Sequence, residues 1–143
     1  MNKWHNRMMR LAREVASWSK DTTKVGAVIT DNHNRIVSVG YNGPPRRVVD
    51  DSTIDRQTKL RRTIHAEENA ILFARRDLSG HTLYCTHHPC GPCAAVIIQV
   101  GITHVVIPHD ESPFMHRWEA DIMESASMFD EAGIIVETLT DEC

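Results

Sequence analysis

The sequence contains no long hydrophobic run, and no stretch approaches the roughly 18 apolar residues that a membrane-spanning helix needs. It also lacks an excess of positive charge, because 16 lysines and arginines stand against 19 aspartates and glutamates, for a net charge of −3. Proteins that bind a nucleic-acid backbone usually carry a strong basic excess, so this balance disfavours a nucleic-acid polymer as a partner. The residues after Met1 do not resemble a signal peptide, so we expect a cytoplasmic protein without a membrane partner.

Cysteines are few, with only Cys85, Cys90, Cys93 and Cys143 in the chain. In an intracellular protein, a close pair such as Cys90 and Cys93 indicates a metal or redox site more often than a disulfide. The 143 residues, 41% of them hydrophobic, suffice for one domain spanning 1–143 whose core needs no disulfide.

Helical and strand-like patterns alternate along the chain. Apolar residues at helical spacing predict helices at about 4–18, 66–76, 90–100 and 118–132. Short apolar runs predict strands at about 25–30, 35–40, 82–86, 104–107 and 134–139. Residues 46–63 are polar and predict a surface excursion with one helical turn. This order predicts an α/β fold with a largely parallel sheet covered on both faces.

Three potential metal ligands stand at the starts of two predicted helices. Cys90 and Cys93 lie on the first turn of one helix, where the positive helix end favours the thiolates that zinc requires. His65 opens the preceding helix, and a βαβ unit would bring the two helix starts to one edge of the sheet. Three protein ligands leave a fourth position for water, which is typical of catalytic zinc. The sequence therefore predicts a catalytic Zn²⁺ site.

Glu67 follows His65 by two residues and is a candidate catalytic acid and base that moves a proton from water to the substrate. His65-Ala66-Glu67 with Pro89-Cys90-Gly91-Pro92-Cys93 matches H-x-E…P-C-x-x-C, the signature of zinc nucleobase deaminases. Taken alone, the cysteine pair also fits a redox site or half of a structural zinc site. A zinc-stabilised nucleic-acid-binding module would need a fourth ligand, such as His88 or Cys85, and would leave Glu67 unexplained.

Over nearly its whole length the chain resembles the deoxycytidylate (dCMP) deaminases of the cytidine deaminase-like superfamily. The matching stretches are SWSKDTTKVGAVI, GYNGPPR, HAEENAILFARR, TLYCTHHPCGPCAAVIIQVGI and MFDEAGI. The resemblance implies a three-layer α/β/α sandwich with a five-stranded mixed sheet. It also implies zinc on His65, Cys90 and Cys93, Glu67 as the proton shuttle, and hydrolysis of dCMP to dUMP and ammonia.

The resemblance assigns substrate contacts as well. It implies that Asn42 binds the deoxyribose and that the backbone of Ala66 reads the cytosine edge. Ser19, Lys20 and Lys24 lie in a loop that resembles the one beside the substrate phosphate, and a hydroxyl and two ammonium groups suit a phosphate. Other cytosine nucleotides, such as dCTP or 5-modified dCMP, remain alternatives. A base in tRNA or single-stranded DNA fits the negative net charge less well.

Many members of the family are hexamers that dCTP activates and dTTP inhibits, so the resemblance implies a homo-oligomer. Gly43 and the Phe73–Arg76 segment correspond to a region near the family's subunit contact and effector site. The chain departs from the family at Arg47, where glycine is common, and at Glu111, where many members have tyrosine. We therefore expect altered or absent nucleotide regulation. Five aromatic residues are available for subunit contacts: Trp4, Trp18, Phe73, Phe114 and Trp118.

Overall fold

The computed structural model describes residues 2–109 and 119–140, which form five helices and five strands. The helices are α1 (Lys3–Ala16), α2 (Arg56–Arg62), α3 (Ala66–Ala74), α4 (Gly91–Gln99) and α5 (Glu119–Ala132). The strands are β1 (Gly26–Thr30), β2 (Ile36–Tyr41), β3 (Thr82–Cys85), β4 (His104–Pro108) and β5 (Ile135–Leu139). The sequence predictions at Glu111, Phe114, Trp118 and Cys143 lie outside the described residues.

The sheet is mixed, with the strand order β2-β1-β3-β4-β5. Strand β1 pairs antiparallel with both β2 and β3, whereas the β3–β4 and β4–β5 pairings are parallel. The expectation of a largely parallel sheet was therefore wrong, and the mixed sheet implied by the resemblance is confirmed. The reason is local, because a tight turn at 31–35 joins β1 to β2 and only antiparallel strands allow so short a connection. The Asp31 carboxylate holds this turn by accepting bonds from the His33 and Arg35 amides at 2.8 and 3.0 Å.

Helices cover both faces of the sheet, which confirms the α/β/α sandwich. Successive residues of a strand face opposite sides, and the core divides accordingly. On one side, Met8, Met9 and Ala12 of α1 pack against Val28 and Tyr84. On the other side, residues of α3, α4 and α5 pack against alternating strand residues; this cluster includes Ala27, Ile29, Ala66, Ala70, Leu83, Ala94, Ile97, Val105 and Phe129.

Two glycines set how closely helices approach the sheet. A Cβ atom at Gly40 of β2 would lie 2.4 Å from the backbone nitrogen of Ala70 and 2.5 Å from the carbonyl oxygen of Ala66. A Cβ atom at Gly26 of β1 would lie 2.1 Å from the carbonyl oxygen of Ala12. The absence of side chains at these positions allows α3 and α1 to rest directly on the sheet, and α3 carries part of the site.

The segment between β2 and α3 lies on the surface, as predicted, but it contains a seven-residue helix rather than one turn. Helix α2 begins where the Asp55 carboxylate accepts a bond from the Thr58 amide, and it has no buried residue. Among the described residues, no helix combines the length and the apolar character needed to cross a lipid bilayer.

Candidate active site

The three predicted ligands converge between two helix starts. His65 is the N-cap of α3, Cys90 is the N-cap of α4, and Cys93 lies in the first turn of α4. The His65 Nδ1 atom lies 3.1 Å from the Cys93 sulfur and 3.4 Å from the Cys90 sulfur. Paired hydrogen bonds between the backbones of Gly43 and Ile64, at 2.8 and 3.1 Å, fix the chain immediately before His65.

The donor set and its spacing fit zinc. The ligand atoms of His65, Cys90 and Cys93 all lie within 4.8 Å of one another. Zn–S bonds of about 2.3 Å and Zn–N bonds of about 2.0–2.1 Å require ligand atoms at close to these separations around a tetrahedral ion. Within the described residues, no fourth His, Cys, Asp or Glu joins the cluster. The prediction of an open, three-ligand site therefore fits the geometry better than a closed structural site does.

The electrostatics of the cluster favour one thiolate. A hydrogen bond with the Cys93 thiol lowers the pKa of Cys90 to about 4, with a further contribution from His65. The same bond raises the pKa of Cys93. The hydrogen bond with Cys90 also raises the pKa of His65 to about 9. The protons on His65 and Cys93 are the ones that a bound metal ion would displace, because metal ligands must be deprotonated.

Glu67 lies in the first turn of α3, adjacent to these ligands, and is only 4% exposed. Burial raises the pKa of Glu67 to about 6, because a carboxylate loses hydration there. A carboxyl group with a pKa near neutrality can both accept and donate a proton at physiological pH, as a general acid–base catalyst requires. Its side chain borders the same cavity as His65 and Cys90.

A cavity of about 290 Å³, here called the site cavity, opens onto these groups. His65, Glu67 and Cys90 line it together with Asp21, Thr23 and Arg56. The remaining lining residues are Val25, Asn42, Leu60, Thr63, Ala66, His87, His88, Asp121 and Ile122.

Of the predicted substrate contacts, Asn42 and Ala66 line the site cavity. The Asn42 side chain is held in place, because its Oδ1 accepts a bond from the Val25 amide at 2.9 Å and its Nδ2 donates to the Thr23 carbonyl at 2.8 Å. An amide side chain has one further donor hydrogen and one further acceptor lone pair, so Asn42 keeps hydrogen-bonding capacity for a ligand.

The structure does not bring the predicted phosphate ligands to this cavity. Ser19 is buried, and its hydroxyl donates to the Asn42 carbonyl at 2.8 Å and accepts a bond from the Asp21 amide at 3.2 Å. The Lys24 ammonium donates to the Ser19 carbonyl. Lys20 lines a neighbouring cleft instead. The assignment of these three residues to a phosphate stays a prediction that the lining of the site cavity does not support.

The neighbouring cleft is larger, about 830 Å³, and rich in positive charge. We call it the basic cleft; its lysines and arginines are Lys20, Arg46, Arg47, Arg56, Lys59, Arg62 and Arg75. Gly43, Arg47 and Phe73 line it, and the Arg46 guanidinium lies 5.7 Å from the centre of the Phe73 ring. The assignment of these residues to an effector site or a subunit contact stays a prediction. Arg76 does not line the basic cleft and instead contacts His81 Nε2 at 3.2 Å. Its effector assignment stays a prediction without support from this geometry.

Arg47 keeps the backbone conformation that glycine would adopt. Its φ is 70°, in the left-handed region that residues with a Cβ atom rarely occupy. Arg47 thus takes a backbone conformation that suits glycine and places a guanidinium in the basic cleft.

Comparison with known proteins identifies the family. The family model described as the cytidine and deoxycytidylate deaminase zinc-binding region matches residues 2–109. The chain belongs to this family. The deaminase is 52% identical over 95% of its length to an uncharacterized deaminase in the luxG 3′ region of Aliivibrio fischeri, of which the match covers 93%. It is also 39% identical over 92% of its length to a probable deoxycytidylate deaminase of Drosophila melanogaster, of which 70% is covered.

A solved structure shows the same fold. The dCMP deaminase of the cyanophage S-TIM5, in complex with dCMP and dUMP, superposes with a TM-score of 0.78 at 23% identity. The match covers 97% of the deaminase described here and 99% of the phage chain.

Sequence reasoning missed Arg56 and Asp121 as lining residues of the deaminase cavity. Arg56 opens α2 in a polar segment without hydrophobic periodicity, so nothing local distinguishes it from the other cations there. Asp121 lies in the first turn of α5, where an acidic residue is expected for helix stability alone. Both reach the site only through the tertiary arrangement.

Proposed function

We propose that this deaminase uses zinc to hydrolyse dCMP to dUMP and ammonia. The observation that carries the proposal is the position of Glu67, a buried carboxyl group beside an open His–Cys–Cys cluster and on the wall of one cavity. A redox cysteine pair or a structural zinc site would have no use for such a group. An enzyme that adds water to a base requires one.

Glu67 performs the proton transfers in this proposal. Zinc, held by His65, Cys90 and Cys93, supplies the Lewis acidity that makes water nucleophilic at neutral pH. Glu67 accepts the proton of the attacking water as its oxygen bonds to C4 of cytosine, and delivers that proton to N3. Glu67 then takes the remaining proton from the new C4 hydroxyl and delivers it to the amino group, so that the C4–N bond breaks, ammonia leaves and the C4 carbonyl of dUMP forms. One water enters, one ammonia leaves, and no oxidant or reductant is needed.

The remaining lining residues support a nucleotide as the substrate. We assign the deoxyribose to Asn42 and the cytosine edge to the backbone of Ala66, both of which border the cavity. Arg56 is the one lysine or arginine that lines the site cavity within residues 2–109 and 119–140. We therefore assign the 5′-phosphate to Arg56 rather than to Lys20 or Lys24, since a guanidinium is well suited to bind a phosphate.

The Arg56 side chain also contacts the loop before β1. Its Nη1 donates to the Thr22 hydroxyl at 2.9 Å and lies 3.5 Å from the Asp21 carboxylate. These contacts hold the guanidinium at the rim, and its five N–H groups leave donors for a phosphate. Arg56 lines both the site cavity and the basic cleft. The further phosphates of a triphosphate could therefore bind cations of the basic cleft, so dCTP stays an alternative substrate.

We also propose a homo-oligomer, as in many members of the family. Large apolar side chains beside the basic cleft are exposed in the single chain, among them Trp18, Leu72 and Phe73 at 48%, 60% and 52%. Burial of such side chains in a subunit contact would be favourable.

The deciding experiment measures ammonia release from cytidine, deoxycytidine, dCMP, dCTP, 5-methyl-dCMP and 5-hydroxymethyl-dCMP with zinc-loaded enzyme. We expect the highest kcat/KM with dCMP. Deoxycytidine should be at least about tenfold poorer, because a charged hydrogen bond contributes about 1.5–3 kcal/mol. Equal efficiency with deoxycytidine and dCMP would remove the phosphate from the proposal, and no ammonia from any of the six would contradict it.

A further inference from the structure

Asp121 joins α5 to the start of the helix that carries both cysteines. Its Oδ1 accepts a hydrogen bond from the backbone N–H of Gly91 at 3.1 Å. Gly91 is the first residue of α4 and directly follows Cys90. The Asp121 side chain also lines the site cavity, so the carboxylate lies at the boundary between the helix start and the substrate space.

The Gly91 amide needs such a partner. The first amides of a helix have no acceptor within the helix. An N-cap side chain can bond to the amides of the second and third helical residues, so the amide of the first residue needs another partner. In α4 the first residue is Gly91, and the N-cap is the candidate metal ligand Cys90. Asp121 supplies an acceptor for the Gly91 amide from another helix.

The contact is close enough to restrict the backbone. A Cβ atom at residue 91 would lie 3.1 Å from the Asp121 Oδ1, so the carboxylate rests on the Gly91 backbone itself. Fixing the peptide after Cys90 restricts the direction of the Cα–Cβ bond that carries the Cys90 sulfur. Groups that orient metal ligands in this way typically change metal affinity or activity by about 10- to 100-fold when they are removed.

We propose that Asp121 is a positioning residue for the Cys90 ligand: it holds the Gly91 amide and thereby keeps the Cys90 sulfur directed at the metal. The inference rests on the proposed function, because it requires zinc on His65, Cys90 and Cys93. Asp121 acts through the backbone of α4. The alternative is that Asp121 stabilises only the N-terminus of α5, as an acidic residue in a first turn often does.

Metal affinity separates the two roles. Zinc affinity is measured by chelator competition on the full chain, for wild type, Asp121→Ala, Asp121→Asn and the exposed control Glu124→Gln on the same helix. We expect Asp121→Ala to bind zinc about 10- to 100-fold more weakly and to alter the cobalt-substituted absorption spectrum of the cysteine ligands. Asp121→Asn keeps the acceptor oxygen and should stay within about threefold of wild type, as should Glu124→Gln.

A second variant covers the case in which Asp121→Ala does not fold. Asp121→Gln keeps a polar side chain but moves its oxygen by one methylene, so it should also lose zinc affinity. Wild-type affinity and an unchanged cobalt spectrum in Asp121→Ala, or in Asp121→Gln if the alanine variant does not fold, would overturn the inference. Failure of the wild-type enzyme to bind zinc or to release ammonia would instead overturn the proposed function.

Discussion

The site cavity and the basic cleft share Asp21, Asn42, Arg56 and Thr63 as lining residues, yet they are built from different parts of the fold. The metal ligands and Glu67 belong to the starts of α3 and α4, which pack on the sheet. Most cations of the basic cleft come from the loop after β2 and from α2, which has no buried residue. The packed core therefore holds the candidate metal ligands and Glu67, whereas a surface segment supplies most of the positive charge beside them.

The largest loss of stability should come from a methyl group added where α3 packs against the sheet. In Gly40→Ala, the new Cβ would lie 2.4 and 2.5 Å from backbone atoms of α3, which must move away from the sheet. We expect the free energy of unfolding to fall by about 3 kcal/mol or more, as in severe overpacking, measured by denaturant titration. Deamination should fall with it, because α3 positions His65 and Glu67.

Gly43→Ala is the matched control for this substitution. No atom lies within 4 Å of a Cβ atom built at Gly43, and its backbone φ is not in the left-handed region. Its stability should therefore stay close to that of the wild type. Equal stability of the two variants would show that the approach of α3 to the sheet does not depend on Gly40.

An intermediate effect, on the KM for dCMP, is expected at Arg56, which lines both the site cavity and the basic cleft. Arg56→Gln should raise the KM for dCMP by about 10- to 100-fold, because a charged hydrogen bond to a phosphate contributes about 1.5–3 kcal/mol. The kinetic constants for deoxycytidine, which has no phosphate, should change little. Arg61→Gln removes the same charge from the same helix at a residue that lines neither cavity, and should leave both substrates unaffected. A similar loss with deoxycytidine would assign Arg56 a structural role instead.

The sequence predicted the packed region better than the surface segment, for physical reasons. Cys90 and Cys93 lie three residues apart at one helix start, so local geometry brings their sulfurs to one side of that helix, and His65 and Glu67 follow each other closely at the start of another. The alternation of helices and strands wrongly predicted a largely parallel sheet, because it does not show that a tight turn at 31–35 makes β1 and β2 antiparallel. Arg56 and Asp121 contact the cavity through tertiary packing, which no local spacing encodes.

Ser19 and Lys24 illustrate the same limit. A hydroxyl and an ammonium group suit a phosphate by chemistry, but here both bond to the protein backbone. Which of several loop cations faces a ligand depends on the path of the chain. The sequence shows that the loop contains lysines, but not which way their side chains point.

The smallest change in stability should come from Arg47, in the loop after β2 that lines the basic cleft. Arg47→Gly should raise the free energy of unfolding by about 0.5–1 kcal/mol, because a left-handed residue with a Cβ atom is strained by about 1–2 kcal/mol and glycine loses somewhat more chain entropy on folding. Arg47→Ala removes the guanidinium but keeps the Cβ atom, so it should show no such gain. Thermal unfolding of both variants measures the difference. A gain of equal size in Arg47→Ala would attribute the effect to the lost charge rather than to the backbone.

Glu67→Gln tests whether Glu67 moves the protons of a zinc-dependent deamination. Zinc content by elemental analysis and dCMP turnover are measured on the same preparation, with His65→Ala as the control that should lose the metal. We expect full zinc occupancy in Glu67→Gln and a kcat lower by at least about 10²–10⁴-fold, because the amide cannot accept the proton. A zinc-loaded Glu67→Gln variant that deaminates dCMP at close to the wild-type rate would contradict this role of Glu67.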